Sequence, residues 1–593
     1  MSSKQKTPKK PKATKEVEKP KAAEKQPLPA STLLKNAGRA AALLVIAGIA
    51  SPVSQLNLSP VYGSIPASLH HKWATTFTVI AALVNRRALR RYISTRNAVY
   101  IAVIAFWTPV IQCLLFPHSS TLSIEYGPLV IESLTYFPLL FLSVYAAGGL
   151  LDSIDPSRFN LPPALGELAI PAASYFTVSS VAKLAGATLP GVIGSRVYLT
   201  RIGLQTLIAS ASALLTPSLT ILLAVPALLH TLTLNPHSPS SYALQRANAT
   251  LSATQNYTVL ARQESITGYV SVLENSADNA FRLLRCDHSL LGGEWLVTPS
   301  AYSKGQRQQE TIFAVFVLLE AVRLVEPPTS MPVIPDNKKK ALNIGLGIGT
   351  APNAMIGHGI NTTIVELDPA VHEYATEYFN LSPNHNAVLS DAVAFVAETS
   401  VSHPASYDYI IHDVFTGGAE PAALFTTEFM QGLSDLLTLD GVVAINYAGD
   451  LTLGSTKLVL NTIHAVFPAC RLFRDSPPNE GAKPGDPDFI NMVIFCVKMP
   501  RNMPTRGPHG TKKIGTPPIT FRRAVREDFL GSIARQNFLQ PRPELEVKYS
   551  YESGDQVMGR GDVGELEKFH EQGAVSHWRI MRTVLPSGVW EMW

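Results

Sequence analysis

Charged residues are scarce in this chain of 593 residues. Asp, Glu, Lys and Arg make up 16% of it, hydrophobic residues make up 46%, and the mean hydropathy is positive. This composition is too apolar for an ordinary soluble protein and indicates a chain that lies partly in a membrane. The length predicts two or three domains.

Cysteine is also scarce. The four cysteines, Cys113, Cys286, Cys470 and Cys496, lie far apart and form no CxxC pair. This spacing argues against a disulfide framework and against a zinc site, so we expect no bound metal. It also predicts that the soluble part of the chain faces a reducing compartment.

A strong excess of charge is absent as well. The net charge is only +5, and no basic-aromatic pattern indicates a nucleic-acid partner. The basic residues are concentrated near the N-terminus, where residues 1–30 hold nine lysines and three glutamates with few large apolar side chains. We predict a disordered tail over residues 1–35, since such a segment cannot bury enough apolar surface to fold. Its late apolar stretch and its lack of arginine disfavour a signal peptide and a mitochondrial presequence.

Long stretches without any charge follow the tail. Residues 97–124, 133–151 and 202–245 contain no Asp, Glu, Lys or Arg. Runs of 18 or more apolar residues are long enough to cross a bilayer. Residues 36–232 therefore predict a transmembrane region, a lipid bilayer as partner, and six spans near 38–58, 68–85, 98–117, 129–151, 166–186 and 203–230.

The distribution of arginine predicts the orientation of these spans. Five arginines lie within residues 86–96, and the tail is also basic. Positive residues stay on the cytoplasmic side, so the tail and this segment should share that side. Six spans would return the chain to the same side. We therefore expect a multi-pass membrane protein with a cytoplasmic N-terminus and a cytoplasmic catalytic domain.

The C-terminal half changes to a pattern typical of a folded soluble domain. Residues 258–310 alternate apolar and polar residues, which predicts a small β-hairpin domain. Residues 311–500 alternate strands with helices, which predicts a Rossmann-like α/β domain with a mainly parallel sheet. Residues 501–593 form a C-terminal extension, for which a strap packed on the catalytic domain is the simplest interpretation.

Polar and glycine residues end four consecutive predicted strands. The first strand ends in Gly345, Gly347 and Gly349, and the second ends in Glu366, 21 residues after Gly345. Asp391 ends the third strand and Asp413 ends the fourth. Doubly wound sheets bind ligands at this edge, with glycines beneath the ligand and an acid on the ribose. The pattern predicts a nucleoside site, and it favours an adenosyl sulfonium compound over a nicotinamide dinucleotide.

Several motifs resemble the spermidine/spermine synthase family of aminopropyltransferases. They are "GLGIGT", "VELDPAV", "SDAVAFV", "YDYIIHD" and "LFTTEFMQGLSDLLTLDGVVAIN". Membrane-fused members of that family are known, and the six predicted spans are similar to that arrangement. The resemblance implies that Glu366 holds the ribose, that Asp391 and Ala392 hold the adenine, and that Asp413 is the general base.

The chain also departs from the family pattern. Ile348 and Thr416 stand where the family usually has acids, and "IFAVF" replaces its polyamine-lining segment. The leading hypothesis is a membrane-anchored aminopropyltransferase of polyamine biosynthesis, which uses decarboxylated S-adenosylmethionine and a small amine acceptor. The alternatives are an S-adenosylmethionine-dependent methyltransferase and a catalytically silent nucleoside-binding scaffold. The oligomeric state is open, with a homodimer as one candidate.

Overall fold

The structure is a computed structural model that describes residues 29–84, 86–152, 163–327, 333–414, 419–467, 469–478, 489–498, 519–552 and 554–593. Most of the predicted disordered tail lies outside these residues. Thr416, one of the departures from the family pattern, also lies outside these residues.

A helical bundle forms the first third of the described chain. Two apolar runs, residues 40–50 and residues 136–151, pack against each other. Leu44, Ala47, Leu140 and Val144 are fully or almost fully buried between them. The helices of this region are α1 (Ala30–Tyr62), α2 (Ser64–Ser68), α3 (His71–Val84), α4 (Arg86–Leu89), α5 (Tyr100–Leu115), α6 (Ser119–Leu134), α7 (Tyr136–Leu151), α8 (Pro163–Thr188), α9 (Arg201–Leu215), α10 (Val225–Thr233) and α11 (Ser241–Gln255).

The predicted span 203–230 is two helices in the structure. Helix α9 ends at Leu215, and a short 3₁₀ helix, Leu219–Ala224, leads into α10. The chain turns between them because Pro217 has no N–H to donate and pushes Thr216 out of the helical region. The Ser218 side chain then caps the new segment by accepting a hydrogen bond from the Thr220 amide at 3.3 Å.

A five-stranded antiparallel sheet follows, as the alternating pattern of residues 258–310 predicts. Its strands are β1 (Tyr257–Glu264), β2 (Tyr269–Asn275), β3 (Phe281–Cys286), β4 (Ser289–Trp295) and β5 (Glu310–Thr311), which pair in chain order. A short helix, α12 (Pro299–Ser303), joins the last two strands.

The Rossmann-like prediction for the next region is confirmed. Its strands are β6 (Lys340–Ile344), β7 (Asn361–Glu366), β8 (His385–Leu389), β9 (Tyr407–His412), β10 (Leu437–Asp450), β11 (Cys470–Arg474), β12 (Phe489–Val497) and β13 (Glu546–Val547). The sheet order is β13-β11-β12-β10-β9-β6-β7-β8. Strands β10, β9, β6, β7 and β8 are parallel, and the β12–β11–β13 side is antiparallel.

Helices cover both faces of this sheet, which explains why its strands are almost continuously apolar. The helices between the strands are α13 (Ala314–Leu319), α14 (Thr350–Gly357), α15 (Pro369–Tyr378), α16 (Ala392–Ser402), α17 (Thr427–Leu436) and α18 (Gly454–Val466). Met430, Leu433 and Val459 are fully buried on one face, and Leu319, Met355 and Val322 are fully buried on the other.

Two of the four cysteines form a disulfide in the structure. Cys470 of β11 and Cys496 of β12 are directly opposite each other in the antiparallel register and are bonded. Their separation in sequence did not indicate this pairing, because strand register decides which residues meet. This bond does not fit the prediction of a reducing compartment.

The C-terminal extension contacts both the helical bundle and the small β-sheet. Its helices are α19 (Ile533–Phe538), α20 (Val563–Glu567), α21 (His570–Val584) and α22 (Ser587–Glu591). The Trp578 indole donates to the Val61 carbonyl of α1 at 3.0 Å. The fully buried Arg285 of β3 donates to the carbonyls of Pro60 and Val589 at 2.6 and 2.7 Å. These bonds tie the extension, the bundle and the small β-sheet to one another.

Candidate functional site

The glycine turn after β6 lies at the carboxyl edge of the parallel strands. Gly345, Gly347 and Gly349 have φ angles of +82°, +55° and +84°, in the left-handed region that favours glycine. A Cβ at Gly345 would collide with the carbonyl oxygen of Asp413, and one at Gly347 would lie 2.5 Å from the carbonyl oxygen of Leu291. The turn therefore needs glycine both for its backbone conformation and for its close packing.

Glu366 ends β7 beside this turn and is 8% exposed. Its Oε2 accepts a hydrogen bond from the Leu346 amide at 2.9 Å, and its Oε1 accepts one from the Asp368 amide at 2.8 Å. Burial raises the pKa of this carboxyl to about 7, although the backbone donors oppose the shift. The carboxyl group therefore lies against the glycine turn, where the sequence pattern placed it.

Asp391 lies at the next strand end along the edge. Its carboxylate caps α16 by accepting a hydrogen bond from the Val393 amide at 3.0 Å, and Ala392 behind it is buried. The Ser390 amide donates to the Glu366 carbonyl at 3.0 Å, which keeps the two strand ends adjacent. Asp391 is therefore an exposed helix cap at the same edge as Glu366.

Asp413 follows β9 and borders the glycine turn. Its amide donates to the Ile344 carbonyl at 2.8 Å, which aligns the ends of β6 and β9. Burial raises the pKa of the Asp413 carboxyl to about 6, and the hydrogen bond from Asn446 opposes this shift. The structure thus brings together the three glycines, Glu366 and Asp413, all of which the sequence analysis had named.

Asn446 is a site residue that the sequence analysis missed. Its Nδ2 donates to Oδ1 of Asp413 at 2.7 Å, and its Oδ1 is buried without a hydrogen-bond partner among the described residues. It lies on β10, one residue after Ile445, which pairs with His412. A polar residue in the apolar strand "GVVAINYAG" was the available signal, since it falls at the same edge as Asp413.

Ile348 is the residue of the glycine turn at which the chain departs from the aminopropyltransferase pattern. Its side chain is 5% exposed and packs against Gly292 of β4, where an added Cβ would lie 2.9 Å from Cγ1 of Ile348. The position that carries an acid in the aminopropyltransferases is therefore an apolar contact with the small β-sheet. A cationic aminopropyl chain would meet no carboxylate from this residue.

A parallel sheet with a glycine turn and acids at its carboxyl edge defines a Rossmann-like domain. Residues 326–474 match the spermine/spermidine synthase domain. The chain is also 45% identical over 574 residues to the N-terminal histidine N-methyltransferase of Emericella nidulans, covering 93% of this chain and 97% of that protein. The chain belongs to the family of that methyltransferase and is a transferase.

Shorter parts of the chain are similar to aminopropyltransferases. The chain is 34% identical over 112 residues to the polyamine aminopropyltransferase of Vibrio vulnificus, which covers 18% of this chain and 37% of that one. The crystal structure of a probable spermidine synthase from Corynebacterium glutamicum has a TM-score of 0.32 and 17% identity, covering 50% of this chain and 96% of that one.

The prediction of an aminopropyltransferase of polyamine biosynthesis is wrong. The similarity to aminopropyltransferases covers a fraction of the chain, whereas the similarity to a methyltransferase extends over nearly all of it. The motifs that carried the resemblance all lie within the residues that match the spermine/spermidine synthase domain. Ile348, which stands where the aminopropyltransferase pattern has an acid, is buried.

Proposed function

We propose that this protein is an S-adenosylmethionine-dependent methyltransferase that methylates a nitrogen of the N-terminal histidine of a polypeptide. The observation that carries the proposal is the 45% identity to an N-terminal histidine N-methyltransferase along 97% of that relative. The alternative of a silent scaffold has no comparable support.

The donor would bind at the edge formed by the glycine turn and Glu366. Glu366 would accept hydrogen bonds from the ribose hydroxyls, and Asp391 with Ala392 would border the adenine. Gly345, Gly347 and Gly349 would let the backbone approach the rest of the nucleoside. Intact S-adenosylmethionine suits this site better than its decarboxylated form, since Ile348 supplies no acid for a lone aminopropyl amine.

Asp413 would act on the acceptor. The donor supplies a methyl group made electrophilic by its sulfonium sulfur. The histidine nitrogen attacks with its lone pair and the carbon–sulfur electrons return to sulfur. The methylated cation then loses a proton, from the methylated nitrogen if that is the α-amine and from the other ring nitrogen if it belongs to the imidazole. Asp413 would take this proton and orient the acceptor, while Asn446 holds the carboxylate in place. The pKa of about 6 is close to the value of about 6.5 for free histidine.

The helical bundle would anchor the enzyme in a lipid bilayer. Three helical stretches among the described residues are long and apolar enough to cross a membrane: Ala30–Tyr62, Asn97–Leu134 and Leu168–Gly191. On α3, Trp73, Phe77, Ile80 and Val84 are each more than half exposed and share one helix face. An apolar face of this kind needs a lipid or protein partner.

The experiment is a donor comparison with the full-length protein in detergent. A peptide that begins with histidine is incubated with S-adenosylmethionine or with its decarboxylated form, and mass spectrometry measures the added group. We expect one methyl group from the first donor and no aminopropyl group from the second. An acetylated copy of the peptide is the matched control, because its first residue has no free α-amine. An aminopropyl product, or no product from either donor, contradicts the proposal.

A further inference from the structure

The small β-sheet lies between the helical bundle and the candidate donor site. Its β1–β2 turn, residues 265–268, contacts Asp368, which lies two residues after Glu366. Its strand β4 contacts the glycine turn, because an added Cβ at Gly347 would lie 2.5 Å from the Leu291 carbonyl oxygen. The sheet therefore lies against both elements that would hold the donor.

Asp368 connects the β1–β2 turn to Glu366. Its backbone amide donates to Oε1 of Glu366 at 2.8 Å, and its side chain is fully buried. The carboxylate accepts hydrogen bonds from the hydroxyls of Ser265 and Thr267, and from the amides of Thr267 and Ala370 at 3.3 and 2.8 Å. A buried carboxylate is costly unless donors satisfy it, so these bonds fix the position of Asp368. They thereby fix the amide that donates to Glu366.

The β1–β2 turn is closed and tightly packed. The Ser265 amide donates to the Gly268 carbonyl at 2.8 Å, and the Gly268 amide donates to the Ser265 carbonyl at 3.3 Å. Gly268 has a φ angle of +155°, and an added Cβ there would lie 2.9 Å from Cγ of Asp287. Closely packed structure transmits a displacement instead of absorbing it. A shift of the flanking strands should therefore move the turn and its hydroxyls.

Arg201, the first residue of α9, holds both ends of this turn. Its backbone amide donates to Oε1 of Glu264 at 2.9 Å, and its guanidinium pairs with the same carboxylate, one residue before the turn. The guanidinium also pairs with Oδ1 of Asp287 at 3.2 Å. That oxygen accepts a hydrogen bond at 2.9 Å from the amide of Tyr269, one residue after the turn. Both strands that leave the turn are thus tied to one side chain.

Arg201 is in turn fixed within the bundle. It is 1% exposed, and it donates to the Leu56 carbonyl at 2.7 Å and to the Ser59 hydroxyl at 3.4 Å, both on α1. One guanidinium therefore joins two helices of the bundle to two carboxylates beside the β1–β2 turn. A lysine could not do the same, because an ammonium lacks the planar fork of donors that reaches several partners at once.

We infer that Arg201 is a positioning residue for donor binding, which acts on Glu366 through the β1–β2 turn and Asp368. The bundle then supports the donor site in addition to anchoring the protein. This inference rests on the proposed function, because that function gives Glu366 the role of holding the ribose. The contacts end at β7, whereas Asp413 and Asn446 lie at the ends of β9 and β10. Donor affinity should therefore change without loss of the acid–base step.

The test measures the affinity of the full-length protein in detergent for S-adenosylmethionine by calorimetry. It also measures kcat and the KM of a peptide that begins with histidine, at saturating donor. Arg201→Lys breaks the contacts at the bundle, and Thr267→Val breaks them at Asp368. We expect donor affinity to fall about tenfold in each variant, equivalent to about 1.4 kcal/mol, with kcat and the KM of the peptide nearly unchanged.

Two controls separate positioning from a general loss of stability. Thr267→Ser keeps the hydroxyl that donates to Asp368, so its donor affinity should match that of the parent protein. Arg582→Gln removes another arginine that contacts the bundle, with a side chain that is 8% exposed, pairs with Glu591 and donates to the Val61 carbonyl at 3.3 Å. This variant should lower the thermal stability and leave donor affinity unchanged.

Hydrogen exchange without donor gives a readout that does not depend on turnover. The amides of Leu346 and Asp368 both donate to Glu366. We expect them to exchange faster in Arg201→Lys than in the parent protein, because the carboxylate that accepts their hydrogen bonds is held less firmly. Unchanged exchange of both amides contradicts the inference.

The affinities decide between the outcomes. The inference is overturned if Arg201→Lys and Thr267→Val bind the donor as the parent protein does, or if Arg582→Gln weakens binding as much as they do. A parent protein that binds no S-adenosylmethionine would contradict the proposed function and this inference together. Normal binding by the parent protein and by both variants would contradict this inference alone.

Discussion

The amide of Asn446 donates a 2.7 Å hydrogen bond to the carboxylate of Asp413, joining the ends of two neighbouring parallel strands. The partner orients the carboxylate at the edge where the donor would bind. It also opposes the rise in pKa that burial causes. Both roles lead to measurable consequences.

Replacing Asp413 by Asn should reduce methyl transfer at least about 100-fold, the usual scale for the loss of an acid–base group. The amide keeps the shape of the side chain but cannot accept the proton. Donor affinity, measured by calorimetry, should change little, because Glu366 and the glycine turn would hold the nucleoside. Normal turnover of Asp413→Asn would show that Asp413 is a structural residue and not the general base.

Replacing Asn446 by Leu should move the acidic limb of the pH–rate profile to higher pH. Asp413 would work as a base only when it is deprotonated, so activity in the parent protein should rise as pH increases through about 6. Removing the hydrogen bond that stabilises the carboxylate raises its pKa further. The profile of kcat against pH tests this, and an unmoved acidic limb would show that Asn446 does not tune Asp413.

Replacing Glu366 by Gln should weaken donor binding by about tenfold, equivalent to about 1.4 kcal/mol. Burial raises the pKa of Glu366 to about 7, so the charged form, which would accept hydrogen bonds from both ribose hydroxyls, is populated above that pH. Donor affinity should therefore increase as pH rises through 7 in the parent and be flatter in Glu366→Gln. The control is Glu398→Gln, a substitution of an exposed glutamate on α16. Equal effects of the two variants on donor affinity would show that Glu366 does not bind the ribose.

Replacing Ile348 by Asp should destabilise the protein instead of restoring an aminopropyl site. The side chain is buried against Gly292, so an ionised acid there would lose its hydration, which costs about 3 kcal/mol or more. Ile348→Val keeps the contact apolar and should cost about 1 kcal/mol. Thermal unfolding measures both. An Asp variant as stable as the Val variant would show that Ile348 faces solvent or ligand.

Local patterns were enough to predict the strands of the catalytic domain and the positions of Glu366 and Asp413, because strand ends and helix starts have short-range signals. The pairing of Cys470 with Cys496 depends on strand register, which residues far apart in sequence decide together. The break at Pro217 was hidden inside a long apolar run. Asn446 was missed because its partner lies 33 residues away. The aminopropyltransferase prediction was wrong because it rested on motifs within residues 326–474, whereas the similarity to a methyltransferase extends over 93% of the chain.

The most direct measurement uses one peptide with histidine at its first position and a second histidine further along the chain. The full-length protein is supplied with S-adenosylmethionine, and fragmentation by mass spectrometry locates the added group. The account predicts a single methyl group on the first residue and none on the second histidine, which serves as an internal control. Methylation of both histidines, of the internal one alone, or of neither would contradict it.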